Sequence, residues 1–388
     1  MLVRGMGIKN TVLKSADVII VGAGLSGCLM AWFLKQRQPE LFIQIFEQSN
    51  DLPLKRTWSF HQSDVSDNYL NIKSLISKEW QEHTVHFASY YRNLTGRYAS
   101  IRPEDLSNKI KNEFAGQIFF NTEIVSVDEA AITTADGSVH KANCIIDARG
   151  PETLTTKCGY QKFLGLHLQT KTAHGLQNPI IMDATVKQTD GYRFMYVLPW
   201  SETELLIEDT YYSESSLMDN EFLRKEILNY VSSKGWQVQK ILDEETGVLP
   251  IPFFQSQSNE KKLAVIGARG GFFHPVTGYS LPEAVKIADR ISQLKNPSTA
   301  AARTVLNRYR NEQYWQKRYF YLLNRLLFQA AQPNERFKIF ERFYSLPESL
   351  IANFYRASLS NAEKIRILSG KPPVPVTEAL KCLINSGV

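Results

Sequence analysis

Asp17-Val-Ile-Ile-Val-Gly22-Ala-Gly24-Leu-Ser-Gly27, followed by Cys28-Leu-Met-Ala-Trp-Phe-Leu34, joins a β-branched run, three glycines at G-x-G-x-x-G spacing and an apolar segment. Val18 to Val21 reads as a short buried strand and the residues after Gly27 as a helix. Gly22 permits the tight turn, Gly24 lets backbone approach a pyrophosphate, and Gly27 lets helix pack close on strand. The helix N-terminus then offers free N–H groups and the positive end of its dipole to the phosphates. Leu41-Phe-Ile-Gln-Ile-Phe46 reads as a second strand, which Glu47 closes. That carboxylate is placed to accept from the ribose hydroxyls of an adenosine. A glycine triplet alone would fit a plain turn between packed elements. Strand, helix, second strand and terminal acid together predict a dinucleotide site.

The chain of 388 residues has room for two or three domains. With 43% hydrophobic and 22% charged residues, its composition is that of an ordinary soluble globular protein. A net charge of +6 is too diffuse for a nucleic-acid footprint but suits contact with an anionic membrane surface. The four cysteines, Cys28, Cys144, Cys158 and Cys382, form no C-x-x-C pair, so no metal site or disulfide framework is expected and the thiols read as reduced, in the cytoplasm. Residues 1–16 carry Arg4, Lys9 and Lys14 without the apolar core of a signal peptide. No stretch approaches the roughly 18–20 apolar residues that span a bilayer, so membrane contact is expected to be peripheral.

Beyond Glu47 the nucleotide-binding pattern breaks off, and the sequence from His61 through Tyr98 reads as polar and irregular. Arg102-Pro-Glu-Asp-Leu106 opens a helix ending near Phe114, with Pro103 suited to the first turn and Glu104 and Asp105 to the N-terminal dipole. Strand-like runs follow at 117–122, 124–127 and 131–134. Ala142-Asn-Cys-Ile-Ile-Asp147 is then a buried strand that can return to the nucleotide sheet. From Pro151 to Pro252 β signals dominate, with one helix at about 219–233. Leu263-Ala-Val-Ile-Gly267 repeats the strand-to-glycine pattern and leads to a helix at 280–294. The expected organisation is a discontinuous cofactor domain (1–55, 102–150 and 262–300), a mostly antiparallel substrate domain (56–101 and 151–261) and a helical region (301–388). In the last, Tyr319, Leu322, Leu323 and Leu326, and later Phe337, Phe340 and Tyr344, recur at helical spacing among Arg318, Arg325, Arg336, Lys338 and Arg342.

Several segments together resemble the bacterial flavin-dependent lycopene β-cyclases. Besides Gly22, Gly24 and Gly27 these are Thr57-Trp-Ser-Phe-His61, Pro179-Ile-Ile-Met-Asp-Ala-Thr-Val186, Gly191-Tyr-Arg-Phe194 and Leu206-Ile-Glu208-Asp209-Thr210. Phe273-His274-Pro275-Val-Thr-Gly278-Tyr279-Ser-Leu-Pro282 and Ile367-Leu-Ser-Gly-Lys-Pro-Pro-Val-Pro375 extend the resemblance over essentially the whole chain. It implies an α/β fold: a Rossmann-like FAD-binding domain of the p-hydroxybenzoate-hydroxylase type, an inserted antiparallel sheet and C-terminal helices. It also implies noncovalent FAD, active when reduced, with NAD(P)H as donor, in a reaction without net redox change. Lycopene would close at both ends, through γ-carotene, to β-carotene. Such a substrate implies residence at the inner face of the cell membrane, where other enzymes of carotenoid biosynthesis are possible partners. One departure from the wider flavoprotein pattern concerns Gly267, which is followed by Ala268 and Arg269 rather than an aspartate for the ribityl chain. Asp147 or backbone N–H groups near Gly270 and Gly278 are the candidate substitutes.

Cyclisation needs a proton delivered to a terminal alkene inside an apolar cavity, and a lone acid there has its pKa raised by desolvation. Glu208, the match to the family's glutamate, is the candidate acid. In a strand it shares a face with Leu206, while Asp209 points the other way with Ile207 and reads as structural. Pro275 to Gly278 is expected to present N–H groups to the flavin. His61 and His274 are weaker candidates, hydrogen-bonding residues as readily as catalysts, and Trp58, Phe60, Tyr192, Phe194 and Tyr196 are candidate walls of a polyene tunnel. The basic, aromatic C-terminal helices read as packing on the flavin domain, with an exposed stripe at the lipid headgroups. Two other readings stay open: another FAD-dependent prenyl-lipid oxidoreductase, or a non-catalytic prenyl-lipid carrier on the same fold.

Overall fold

The computed structural model describes residues 15–150, 157–255 and 262–369. The leader before Ser15, the Lys371–Pro375 segment and Cys382 lie outside the described residues. Strand β1 (Ala16–Val21), helix α1 (Leu25–Arg37) and strand β2 (Ile43–Phe46) form a parallel βαβ unit, Val18 to Val21 pairing with Ile43 to Phe46. β1 reads as a continuous apolar run because both of its faces are covered. Val18 and Ile20 meet α1, and Ile19 and Val21 meet a small cluster with Phe46, Ile124 and Ile132.

Next come β3 (Trp58–His61), the one-turn helix α2 (Tyr69–Ile72), β4 (Lys78–His86) and β5 (Tyr91–Ile101). Two long strands thus stand where the sequence reads as polar and irregular. β4 places only Trp80, His83 and Val85 fully inside, and a bulge between Trp80 and Glu82 breaks the alternation. α3 (Pro103–Glu113) leads back to the first sheet through β6 (Ile118–Phe119), β7 (Ile124–Val127), β8 (Ala131–Thr134) and β9 (Val139–Asp147).

β10 (Cys158–Thr170), β11 (Ile180–Asp183), β12 (Tyr192–Pro199) and β13 (Glu204–Ser213) follow. α4 (Asn220–Ser233) and β14 (Val238–Pro252) come next, and then β15 (Ala264–Val265) and α5 (Leu281–Ser292). Among the described residues two sheets result. The first runs β6-β2-β1-β9-β8-β7, with β15 parallel to the end of β9; the second has eight strands in the order β14-β10-β13-β12-β11-β4-β5-β3. All pairs of the second sheet are antiparallel except β11 with β4.

α6 (Thr299–Arg325), with a π-helical turn at Leu326–Ala330, then α7 (Phe337–Tyr344), α8 (Glu348–Tyr355) and α9 (Asn361–Leu368) complete the described residues. Ala302, Leu306 and Tyr309 of α6 enter the core of the first sheet, while Phe320, Leu327, Phe328 and Tyr344 enter an aromatic core on the second. The helices are therefore not packed on the first sheet alone. Nor do all their basic residues face out. Arg336 is buried and donates to the carbonyls of Leu327, Phe328 and Tyr212, and Arg325 donates to that of Phe253. A π-helical turn, the neighbouring strands and an aromatic core leave carbonyls that only a long cationic side chain reaches.

Candidate active site

The chain turns from β1 into α1 through Gly22, Ala23 and Gly24. Gly22 has φ +96°, and a Cβ there would meet the Ala148 carbonyl oxygen at 2.8 Å. A Cβ on Gly27 would run into the Gly22 carbonyl, so both glycines are required by close approach within the protein. Gly24 differs: a Cβ there would find nothing within 4 Å. No side chain caps the helix that begins beside it, which leaves its first N–H groups without a side-chain acceptor at the cap. Gly267, φ +66°, passes over the start of α1, where a Cβ would meet Ser26 Oγ at 2.9 Å.

Glu47 is buried at the end of β2. Its Oε2 accepts from Ala23 N at 2.8 Å and its Oε1 from Ser49 N at 2.9 Å, so the acid braces the glycine turn. Asp147, buried at the end of β9, accepts from Arg149 N and Nε through Oδ1 (3.1 and 2.9 Å) and from Arg149 Nη2 through Oδ2 (2.7 Å). Gly270 N donates to the Ile266 carbonyl at 3.3 Å.

The Pro275–Gly278 turn corrects an expectation. Val276 N and Thr277 N both donate to His274 Nδ1 at 3.3 Å, Gly278 N donates to the His274 carbonyl at 2.9 Å, and Tyr279 N donates to Thr277 Oγ1 at 3.3 Å. These N–H groups are taken up inside the turn, because the buried ring of His274 supplies an acceptor at its centre. His274 Nε2 in turn reaches the Phe354 carbonyl at 2.9 Å, and burial pushes its pKa down to about 4. It is a neutral organiser of the turn. His61 is also held neutral, its pKa pushed well down by burial, and it caps the turn at Asp64 while its Nε2 has no partner.

Between the second sheet, the 277–281 segment and the C-terminal helices lies a cleft with about 960 Å³ of free space, its open mouth included. Trp58, Phe194 and Tyr196 line it, joined by Tyr212, Tyr344 and Tyr355. Phe60 does not, being buried in the core of the first sheet, and Tyr192 stacks behind the wall on Phe194 and Phe340. Tyr98 ties the floor together, its hydroxyl 3.0 Å from that of Tyr196 and 3.3 Å from that of Tyr279.

Glu208 opens into this cleft from β13. Burial, and then the neighbouring Glu245, push its pKa well above the carboxylate range, while Arg56 opposes them. Asp209, one residue on, faces the opposite side, where it is buried and paired with Arg193 by two bonds of 2.8 Å. Strand alternation thus separates an acid that faces the cleft from an acid paired with Arg193. Sequence reasoning missed Arg56 and Glu245. The available signal was Gly165, a glycine in the interior of a strand, which marks a close approach of side chains.

Residues 17–381 match the family model for lycopene cyclase protein. The lycopene beta-cyclase of Pantoea ananas is 38% identical over 375 residues, covering 95% of this chain and 98% of its own. That of Pseudescherichia vulneris is 37% identical, covering 95% and 97%. Among solved structures, a geranylgeranyl bacteriochlorophyll reductase-like protein of Thermoplasma acidophilum superposes with a TM-score of 0.62 at 13% identity, over 96% of this chain and 99% of its own. Klebsiella pneumoniae HpxO, solved with FAD, gives 0.58 at 15% identity, over 91% and 97%. The fold is that of the FAD-dependent monooxygenases of the p-hydroxybenzoate-hydroxylase type.

Proposed function

The chain belongs to the lycopene cyclase family, and from that premise we propose that it is a lycopene β-cyclase, closing both ends of lycopene to β-ionone rings through γ-carotene. The observation that carries this reading is Glu208, a carboxyl group on the wall of an aromatic cleft whose pKa is pushed well up, first by burial. Its proton passes to the terminal double bond, the next double bond closes the ring on the tertiary cation, and a ring proton leaves. Electrons balance without an oxidant or reductant. Tyr196, Tyr212 and Phe194 offer ring faces to the cation. Ionised Glu208 adds roughly 4 kcal/mol of attraction at about 4 Å and an effective dielectric near 20.

Noncovalent FAD fits the first loop, where Gly24 and the uncapped start of α1 leave a cradle that a Cβ would fill. Gly22, Gly27, Glu47, Asp147 and Gly267 shape that cradle, and Pro275 and Gly278 the cleft side, with the first sheet as cofactor domain and the second as substrate domain. Reduced FAD, with NAD(P)H as donor, would supply negative charge to offset the cation, and the proton transfer belongs to the protein.

The test is expression in a lycopene-accumulating bacterium with chromatography of the pigments. γ-Carotene and β-carotene are expected. Unchanged lycopene would overturn the reading, and NAD(P)H consumed once per product would favour a redox enzyme.

The same reading includes a peripheral membrane site, since lycopene partitions into the bilayer. No helix among the described residues is long and apolar enough to cross one. Trp315 is 69% exposed on α6 and Ile365 67% on α9, and the two helices are joined by Tyr319 Oη donating to the Lys364 carbonyl at 2.9 Å. Arg318, Lys364 and Arg366 flank them. The protein should pellet with anionic liposomes and be partly released by salt, and Trp315→Ser with Ile365→Ser should weaken the salt-resistant part. Equal binding to neutral and anionic vesicles at every salt concentration would remove the basic residues from the explanation.

A further inference from the structure

Glu208, Gly165 and Glu245 lie in one row across three adjacent strands. Gly165 of β10 pairs with Glu208 of β13 on one side and with Glu245 of β14 on the other. The outer strands are two sheet spacings apart, about 9–10 Å, and between them stands a residue with no side chain. The two glutamates lean into that gap. A Cβ on Gly165 would lie 2.8 Å from Glu208 Cγ and 3.1 Å from Glu245 Cγ.

The two carboxyl groups are held differently. Glu245 Oε2 accepts from Thr57 N at 2.9 Å, from Thr57 Oγ1 at 3.0 Å and from His167 Nε2 at 3.2 Å. Its Oε1 is buried with no hydrogen-bond donor. Among the described residues Glu208 has no such set of donors, and it faces the aromatic cleft. A proton on Glu208 supplies the donor that Glu245 Oε1 lacks, as expected for two carboxyl groups that share one site.

We propose that Glu208 and Glu245 form a one-proton pair across Gly165, in which Glu245 is a positioning residue that keeps the cleft acid protonated and aimed. This deepens, and rests on, the reading of Glu208 as the proton donor. Arg56 faces both carboxyl groups, His167 faces Glu245 from β10, and Tyr196 and Tyr279 face Glu208. Arg56 bounds the total negative charge, and the tyrosines stay neutral across the working range, because burial pushes both hydroxyls up. The Glu208–Glu245 charge interaction therefore adds to burial in setting the alkaline end of activity. Once the proton has left, the pair places two negative charges near the cation.

The experiment compares pH profiles of turnover for Glu245→Gln, Gly165→Ala and Glu208→Gln in the flavin-loaded enzyme, with lycopene in vesicles as substrate. Glu245→Gln keeps the shape and the acceptor for Thr57 but removes the charge. Its alkaline limb should move down by about one pH unit or more, an order of magnitude in proton affinity, with flavin content unchanged and activity largely kept on the acid side. Gly165→Ala parts the carboxyl groups without changing charge, so its alkaline limb should move the same way; it also serves if Glu245→Gln fails to fold. Infrared titration of a protonated carboxyl band, identified by its loss in Glu208→Gln, should show the same downward shift. If Glu208→Gln is inactive while the other two keep the wild-type limb and band, the pair is overturned and the donor stands. If Glu208→Gln is fully active, the donor falls and the pair with it.

Discussion

The Glu208→Gln enzyme should cyclise lycopene at least roughly 100-fold more slowly than wild type, as for loss of a general acid, with its FAD content unchanged. Glutamine keeps the shape and the place on β13 but cannot deliver the proton. Asp209→Asn is the control on the neighbouring residue. It removes one of the two carboxylates paired with the buried Arg193, leaving Glu226 at 2.9 Å, and should lower stability, while the folded fraction keeps its activity. In deuterated water the wild type should place one deuterium per ring, at the carbon protonated to start closure. With prereduced flavin and no oxygen, it should turn over repeatedly without reoxidising the flavin. Full activity in Glu208→Gln would show that another group is the acid. The raised pKa of Glu208 also fixes a sign for stability. The folded chain holds a proton that the unfolded chain releases near pH about 4.3. The stability gained is complete below that value and lost as pH rises through the folded pKa. Glu208→Gln should thus outlast the wild type under alkaline denaturation.

Gly24→Val should abolish flavin binding and, with it, cyclisation, while leaving the fold intact. The backbone at Gly24 has φ −69° and ψ −177°, which any residue adopts, and a Cβ there touches nothing within 4 Å. The valine would therefore enter only open space, which is where the proposed FAD site puts the pyrophosphate. A purified variant should be colourless, with an unchanged far-ultraviolet circular dichroism spectrum and melting temperature measured against flavin-free wild type. Acid precipitation of the wild type should release its flavin into the supernatant, since the contact is noncovalent. A yellow Gly24→Val protein with normal flavin content would remove this loop from the cofactor site. Gly22→Val and Gly27→Val are not equivalent tests, because their side chains would collide with Ala148 and with the Gly22 carbonyl and disturb the fold itself.

Local rules made part of this protein legible in its sequence. The βαβ unit from Ala16 to Phe46 could be read because β1 is a short apolar run and the glycines stand at fixed offsets. The separation of Glu208 from Asp209 could be read because strand side chains alternate, whatever lies around them. The strands at Lys78–His86 and Tyr91–Ile101 could not. A bulge shifts the period of one, and Gly96, with φ +141°, interrupts the other, so neither shows the alternation by which a strand is recognised. The burial of Arg325 and Arg336 could not be read, since helical spacing gives the face of a helix but not what is packed on it. The placing of Glu208 and Glu245 on either side of Gly165, and the enclosure of the Val276 and Thr277 N–H groups by His274, were decided by tertiary structure alone. Strand registry and side-chain burial bring those groups together, and both arise from contacts between segments whose separation along the chain carries no trace of them.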